Sequence, residues 1–222
     1  KEKLEVIYRN ANRMNYLINE LLTFSKIEMK QMRISVRKGD IMHFLEELSH
    51  IFDIVAGERE IDFIVNLEDT EEEVWFSPSK LERILYNLLS NAFKYTQPGG
   101  YVKLSAKLIK EEKGTFVQIS VKDNGRGIPK EAQEQIFESY YQVEKRDHRE
   151  GFGLGLSLTR SLIHMHKGEI RVESEINKGS DFIVTLNVSE DAYNPDERSS
   201  ENITTEEIQK YNQRIKETIE LI

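Results

Sequence analysis

The chain has 222 residues, 31 Lys+Arg against 39 Asp+Glu for a formal net charge of -8, and no cysteine. Disulfide scaffolds, thiolate metal sites and cysteine nucleophiles are therefore excluded, and an acidic surface repels phosphate backbones, so general nucleic-acid binding is not expected. Hydrophobic residues make up 38% of the chain, enough for the core of one domain with helical attachments, and no apolar run approaches the roughly 20 residues that span a bilayer.

Residues 1–32 carry apolar side chains at Leu4, Ile7, Ala11, Met14, Ile18 and Leu21, widened by Leu17, Leu22, Phe24 and Ile27. That spacing predicts a long helix with a bundle seam, which needs a partner to cover it. The chain starts at Lys1 without Met and ends inside a helical pattern, which reads as a piece of a longer protein. Arg33–Val36 alternates as a short strand. Asp40 is placed to cap a helix running to Ala56, with Gly57 as its stop. Ile61–Val65 and Val74–Phe76 read as strands. Ser77-Pro78 opens a helix to Tyr95 with Leu81, Ile84, Leu85, Leu88, Leu89 and Ala92 on one face.

Pro98-Gly99-Gly100 marks a turn. Tyr101–Ile109 and Thr115–Val121 alternate with period two and form a predicted hairpin. A short helix is expected over 129–138, a charged loop over 142–150, a helix over 154–167 stopped by Gly168, and a last hairpin from Glu169–Ser174 and Phe182–Val188. Beyond Ser189 the composition turns polar, as in a linker. Thr204 and Glu207 then make a capping-box pattern before the seam Ile208, Tyr211, Ile215, Ile219 and Ile222. The resulting expectation is an α+β fold: a two-layer sandwich of one mixed, largely antiparallel sheet covered on one face by helices. The predicted units are 1–32, 33–189 and 190–222.

Two glycine-rich loops and one helix carry the chemistry. Asp123-Asn124-Gly125-Arg126-Gly127-Ile128 follows an apolar strand, and Gly151-Phe152-Gly153-Leu154-Gly155-Leu156 precedes a helix. The second loop puts bare backbone N–H groups at a helix N-terminus, where unpaired donors and the dipole favour an anion such as a polyphosphate. Neither loop is a Walker A or a dinucleotide fingerprint. On the helix after Ser77, Asn87, Asn91 and Lys94 fall at i, i+4 and i+7 and share a face. Carboxamide oxygens suit a hard cation such as Mg²⁺, and a lysine ammonium suits phosphate.

These segments resemble, in order, the N, G1, F and G2 boxes of the ATP-binding catalytic domain of sensor histidine kinases, within the GHKL superfamily. Asn87–Thr96 matches the N box, Asp123–Ile128 the G1 box, Ile136-Phe137-Glu138-Ser139-Tyr140 the F box and Gly151–Leu156 the G2 box. Lys178-Gly179-Ser180 with Phe182 is similar to a late glycine motif. The resemblance implies a Bergerat-type ATP-binding fold with ATP and Mg²⁺ as ligands, in a cytoplasmic part of a parent of a kind that is either free in the cytoplasm or anchored in the inner membrane. It implies that Asp123 accepts from the adenine amine, that Gly125 and Gly127 line the nucleotide and that Ile128 packs on the base. Tyr95 covers base or ribose. Asn91 holds Mg²⁺, Asn87 supports cation or phosphates, and Lys94 contacts phosphate.

Gly151, Gly153 and Gly155, with Phe152, Leu154 and Leu156 in the same box, wrap the triphosphate. The loop 142–150 acts as a lid from which Lys145, Arg146 or Arg149 reaches the γ-phosphate. Phe152 and Asp181 depart from the residues common at their positions.

Residues 8–22 resemble the second helix of the family's dimerisation and phosphotransfer hairpin. This implies a homodimer in the parent, a phosphoacceptor histidine on a helix outside this chain, and a response-regulator receiver domain as partner. His43, His50, His148, His164 and His166 lack the family's phosphoacceptor context and read as structural or surface residues. Hydrolysing members of the superfamily carry a water-activating Glu where this chain has Asn87, which cannot serve as a comparable base. Phosphotransfer is thus expected, with a nucleotide-binding module lacking transfer, or an ATP hydrolase, as the alternatives.

Overall fold

A computed structural model describes residues 11, 14, 18–143 and 153–219. The leucine-rich face read after Ser77 organises the fold. Helix α4 (Pro78–Tyr95) buries Leu81, Ile84, Leu85, Leu88, Leu89, Ala92 and Phe93 against a five-stranded sheet of order β2-β4-β5-β7-β6. The strands are β2 (Asp62–Leu67), β4 (Tyr101–Glu111), β5 (Gly114–Asp123), β6 (Glu169–Glu175) and β7 (Gly179–Asn187). β2 pairs parallel with β4, and every other pair is antiparallel.

Period-two patterning places the core on one face of the sheet. Val102, Leu104 and Ala106 of β4, Val117, Ile119 and Val121 of β5, and Phe182, Val184 and Leu186 of β7 are buried under the helices. The alternating positions Lys103, Ser105, Gln118, Ser120 and Lys122 are polar. The fold is the two-layer α+β sandwich with a mixed, largely antiparallel sheet.

Several elements differ from the expectation. Residues 33–36 are not a strand. The pairing falls one step later, between β1 (Arg37–Asp40) and β3 (Glu73–Phe76). The Asp40 cap holds, with its carboxylate accepting from the His43 N–H at 2.9 Å, but the helix it opens is broken. Helix α2 (Ile41–Ser49) gives way at His50 to α3 (Ile51–Arg59). There the Ser49 hydroxyl donates to the Glu46 carbonyl at 2.7 Å and competes with the backbone ladder. Gly57 stays inside α3, and Glu60, at φ 54, takes the left-handed cap instead. The helix expected over 129–138 is two 3₁₀ turns, Lys130–Ala132 and Gln135–Phe137.

Residues 190–204 do not run free as a linker. Tyr193 packs in a small cluster with Ile34 and Val36, and its hydroxyl donates to the Asn187 carbonyl. The Val36 N–H donates to the Glu197 carbonyl at 2.8 Å, and the Ser199 N–H donates to the Val36 carbonyl at 2.9 Å. Helix α6 (Thr205–Ile219) then folds back onto α2, α3 and α4. The capping box forms, with Thr204 and Glu207 exchanging backbone-to-side-chain bonds. Arg37 pairs with Glu207 at 2.8 Å, Tyr211 sets its ring edge-on to Phe44 at 5.8 Å, and Ile208 and Ile215 are buried. The seam therefore docks on its own domain. Ile222 lies outside the described residues.

At the front of the chain, residues 18–28 form helix α1. One face meets α4: the Arg83 Nη1 donates to Thr23 Oγ1 at 2.9 Å, its Nη2 lies 3.7 Å from the carboxylate of buried Glu20, and Phe24 sits 6.3 Å from the Tyr140 ring. The face carrying Met14, Ile18, Leu21 and Leu22 is exposed.

His166 closes the α5 side of the core. Helix α5 (Gly155–Met165) ends at this fully buried imidazole, whose Nδ1 lies 2.9 Å from the Leu162 carbonyl, while Nε2 accepts the Ser77 N–H at 3.2 Å. That pattern fixes the neutral Nδ1–H tautomer. Burial holds its pKa down to about 4 against the partial support of the Leu162 carbonyl.

Candidate functional site

The second half of α4 turns its polar side chains toward the glycine loops. Asn87 is nearly buried, and its Nδ2 donates to the Gly155 carbonyl at 2.6 Å and to Thr159 Oγ1 at 3.0 Å. A Cβ on Gly155 would lie 2.8 Å from Asn87 Oδ1, so the bare glycine lets the start of α5 approach this carboxamide without displacing it. Asn87 thus braces α5 against α4. Asn91, Lys94 and Tyr95 follow along the same helix, half-buried at the rim.

The other wall is the loop after β5. Asp123 stands on the helix-facing side of the strand, in line with Val121 and Ile119, and is buried. Its Oδ1 accepts the Gly125 N–H at 2.8 Å. Burial raises its pKa, the Gly125 and Ser180 N–H groups oppose that rise, and the Asp181 charge adds to it. Gly125 lies directly against the Tyr95 carbonyl, where any Cβ would collide with backbone. The closing turn of α4 and the Asp123 loop are therefore one construction.

The Ile128 N–H donates to Ser174 Oγ at 2.8 Å, and the Gln133 Nε2 donates to the Ile128 and Ser174 carbonyls at 3.1 and 2.8 Å. These bonds tie the loop to β6. Ser174 in turn donates to the Gly179 carbonyl at 2.8 Å, and Gly179 packs on the Asp123 backbone. Phe137 is buried with its ring edge-on to Phe182 at 6.3 Å.

The N-terminus of α5 forms the third side. It has no side-chain cap bond and no acidic residue in its first turn, the arrangement that leaves N–H donors and the positive dipole end facing an anion. Gly153 accepts the Tyr140 N–H at its carbonyl at 2.9 Å, Leu154 is buried, and Leu156 packs against the core. Gly127 and Ile128 sit in the Asp123 loop as the sequence places them. Gly151, Phe152, Lys145, Arg146, Arg149 and His148 lie outside the described residues.

The structure thus brings together Asn87, Gly155, Asn91, Lys94, Tyr95, Asp123 and Gly125. Sequence reasoning missed Thr159, Ser174 and Gln133, which hold the loops in place. They reach their partners across the sheet or between helices, and no local spacing signals them. Among the described residues, no group of three or more His, Asp and Glu side chains could hold a metal ion by itself.

The sequence model of one family, described as histidine kinase-, DNA gyrase B-, and HSP90-like ATPase, matches residues 76–190. This chain belongs to that family. The chain is 34% identical over 190 residues to the sensor histidine kinase WalK of Bacillus subtilis (strain 168), covering 85% of this chain and 31% of that one. It is 34% identical over 190 residues to histidine kinase P4 of Formosa agariphila, covering 83% of this chain and 14% of that relative. It therefore spans less than a third of the length of these curated relatives.

Among solved structures, full-length ShkA in complex with AMPPNP superposes with a TM-score of 0.75 at 25% identity, over 85% of this chain and 38% of that one. The nucleotide-free catalytic domain of the histidine kinase ThkA superposes with a TM-score of 0.62 at 25% identity, over 72% of this chain and all of that domain. The domain described above is a histidine kinase-type ATP-binding domain. No helix among the described residues is long and apolar enough to cross a membrane.

Proposed function

We propose that this chain binds Mg-ATP and transfers its γ-phosphoryl group to a histidine supplied by a separate helix, as the catalytic part of a two-component sensor histidine kinase. The observation that carries the reading is the convergence of three walls on one cleft: Asn87 bonded to Gly155 at 2.6 Å, Gly125 seated on the Tyr95 carbonyl, and the uncapped start of α5. Asp123 is the acceptor for the exocyclic amine of adenine, because an ionised carboxylate only accepts. Lys94 and the first N–H groups of α5 meet phosphate charge.

The metal fits the donors present. Among the described residues no acidic cluster competes for it, and Asn91 offers one half-buried carboxamide oxygen, which with phosphate oxygens and water suits Mg²⁺. When bound, Mg²⁺ would neutralise charge developing on the transferring phosphoryl group. The chain's own residues position the nucleotide and neutralise its charge. The Asn87 Nδ2 is tied to Gly155 and Thr159, and a carboxamide at this position is no base to activate water. This favours transfer over hydrolysis.

The exposed seam of Met14, Ile18, Leu21 and Leu22 supports homodimerisation through α1 in the parent, beside the acceptor helix, with relay to a receiver-domain aspartate. The parent is a cytoplasmic or membrane-anchored kinase on this reading.

The test is incubation of the chain with γ-labelled ATP, Mg²⁺ and a separately supplied histidine hairpin. Label on the hairpin is expected, and Asn91→Asp should abolish it while weakening nucleotide binding less. Phosphate release without transfer would establish the hydrolase, and binding with neither would leave a nucleotide-binding module.

A further inference from the structure

Arg126 stands between the two glycines of the Asp123 loop, and neither the family resemblance nor the functional reading gives it a role. Its guanidinium carbon lies 4.3 Å from the centroid of the Tyr95 ring, within the range where a cation is held on an aromatic face. A planar guanidinium also stacks on such a ring in a way an ammonium does not.

The backbone beneath it is fixed on both sides. The preceding N–H, on Gly125, is bonded to Asp123 Oδ1 at 2.8 Å, and the Arg126 carbonyl accepts the Asn177 N–H at 2.8 Å. Arg126 itself is exposed, so the contact is not one that core packing imposes. The Lys94 ammonium lies farther out, 5.0 Å from the same ring, on a flexible four-carbon stem that can leave the ring for phosphate, whereas the planar Arg126 guanidinium sits closer over its face.

The position along α4 tells which part of a nucleotide this ring faces. Asn87 meets the start of α5, while Tyr95 meets the Asp123 loop. Eight residues separate them, roughly 12 Å along a helix. The anion-favouring helix N-terminus and the adenine-accepting carboxylate therefore lie at opposite ends of the cleft, and Arg126 is at the carboxylate end.

We infer that Arg126, stacked on Tyr95, is a nucleoside-contacting residue: the pair forms a flat cover over the base and ribose next to Asp123, rather than a further phosphate clamp. This rests on the nucleotide reading above and adds a residue that sets affinity for the nucleoside.

Calorimetry of the full chain with ATP, ADP and adenosine tests it, using Arg126→Ala, Tyr95→Leu and the double variant. Arg126→Ala should weaken all three ligands by the same factor, roughly three- to tenfold, the range of an exposed to part-desolvated cation–π contact. The double variant should lose less than the product of the two single losses, as expected for groups acting as a unit. Unchanged affinity, a loss confined to ATP, or independent losses in the double variant would each overturn the assignment. Arg126→Ala should keep the parent chain's folded state by circular dichroism, because the side chain is exposed; loss of the fold would place the residue in the scaffold and overturn the assignment too. If the unaltered chain takes up no nucleotide, the functional reading fails instead, so the two failures are told apart.

Discussion

At its N-terminal end α4 is sealed. The Ser77 N–H is held by buried His166, Arg83 is bonded to α1, and burial lifts the Glu82 pKa to about 7 although the Arg214 and Arg83 charges pull it down. At its C-terminal end the same helix is open: Asn91, Lys94 and Tyr95 stand half-buried at a rim walled by glycines. One end uses bulky and polar side chains to pack and bond against its neighbours. The other uses missing side chains to let backbones approach, and its polar side chains stand at the rim. On the proposed function, stability and binding fall to different turns of one helix, and variants at the two ends should have separable effects.

The largest separation is expected in acid. His166 has an ordinary pKa of 6.5 and is held at about 4 when folded. As pH falls from about 6.5 to 4, the unfolded chain takes up a proton that the folded chain refuses, so His166 withdraws roughly 3 kcal/mol of stability. Glu82 works in the opposite sense: its folded pKa of about 7 lies above the ordinary 4.5, so the folded chain gains stability as pH falls through that interval. The two effects oppose one another in the wild type. Denaturant melts of wild type and His166→Phe between pH 7 and 4 should resolve them. The wild-type advantage should shrink by about 3 kcal/mol across that range, and a constant difference would return His166 to an ordinary environment.

Next in size, Asp123→Asn should cost about tenfold or more in ATP affinity by calorimetry, because an amide mismatches the adenine donor and a bond to a charged group is worth about 1.5–3 kcal/mol. Stability should hold or rise, since a buried charge is removed. Equal affinity would take Asp123 out of the base site.

Thr159→Val should remove one bond from the Asn87 brace, cost about 1 kcal/mol by chemical denaturation, and weaken nucleotide binding only through the start of α5. Smallest is the stability change of Asn91→Ala, within about 0.5 kcal/mol for a rim residue, although phosphotransfer should be lost. A large drop in melting temperature there would break the contrast between the two ends.

The elements that were legible in the sequence are those whose signal is local. The leucines of α4 after Ser77-Pro78, the alternating β4 and β5, and the paired loops around Asp123 and Gly155 could be placed because period and punctuation lie within a few residues. The parallel pairing of β2 with β4 could not, because alternation reveals a face and not a neighbour. The Gly57 stop misled for a physical reason: a glycine can stay helical when nothing crowds it, and Glu60 supplies the left-handed turn three residues later. At the site, the residue types facing the cleft were readable. The supports Thr159, Ser174 and Gln133 were not, since each bonds to a partner distant in sequence.

The return of the chain over Ile34 and Val36 bears on where this domain can be cut. The family match stops at residue 190, yet Tyr193, the bridge between Val36 and Arg198, and the apolar side of α6 all come afterwards. A recombinant fragment trimmed at that limit would bare Phe44, Ile34 and Val36 to solvent and should be prone to self-association. Expression boundaries drawn beyond Ile215 keep that hydrophobic patch covered.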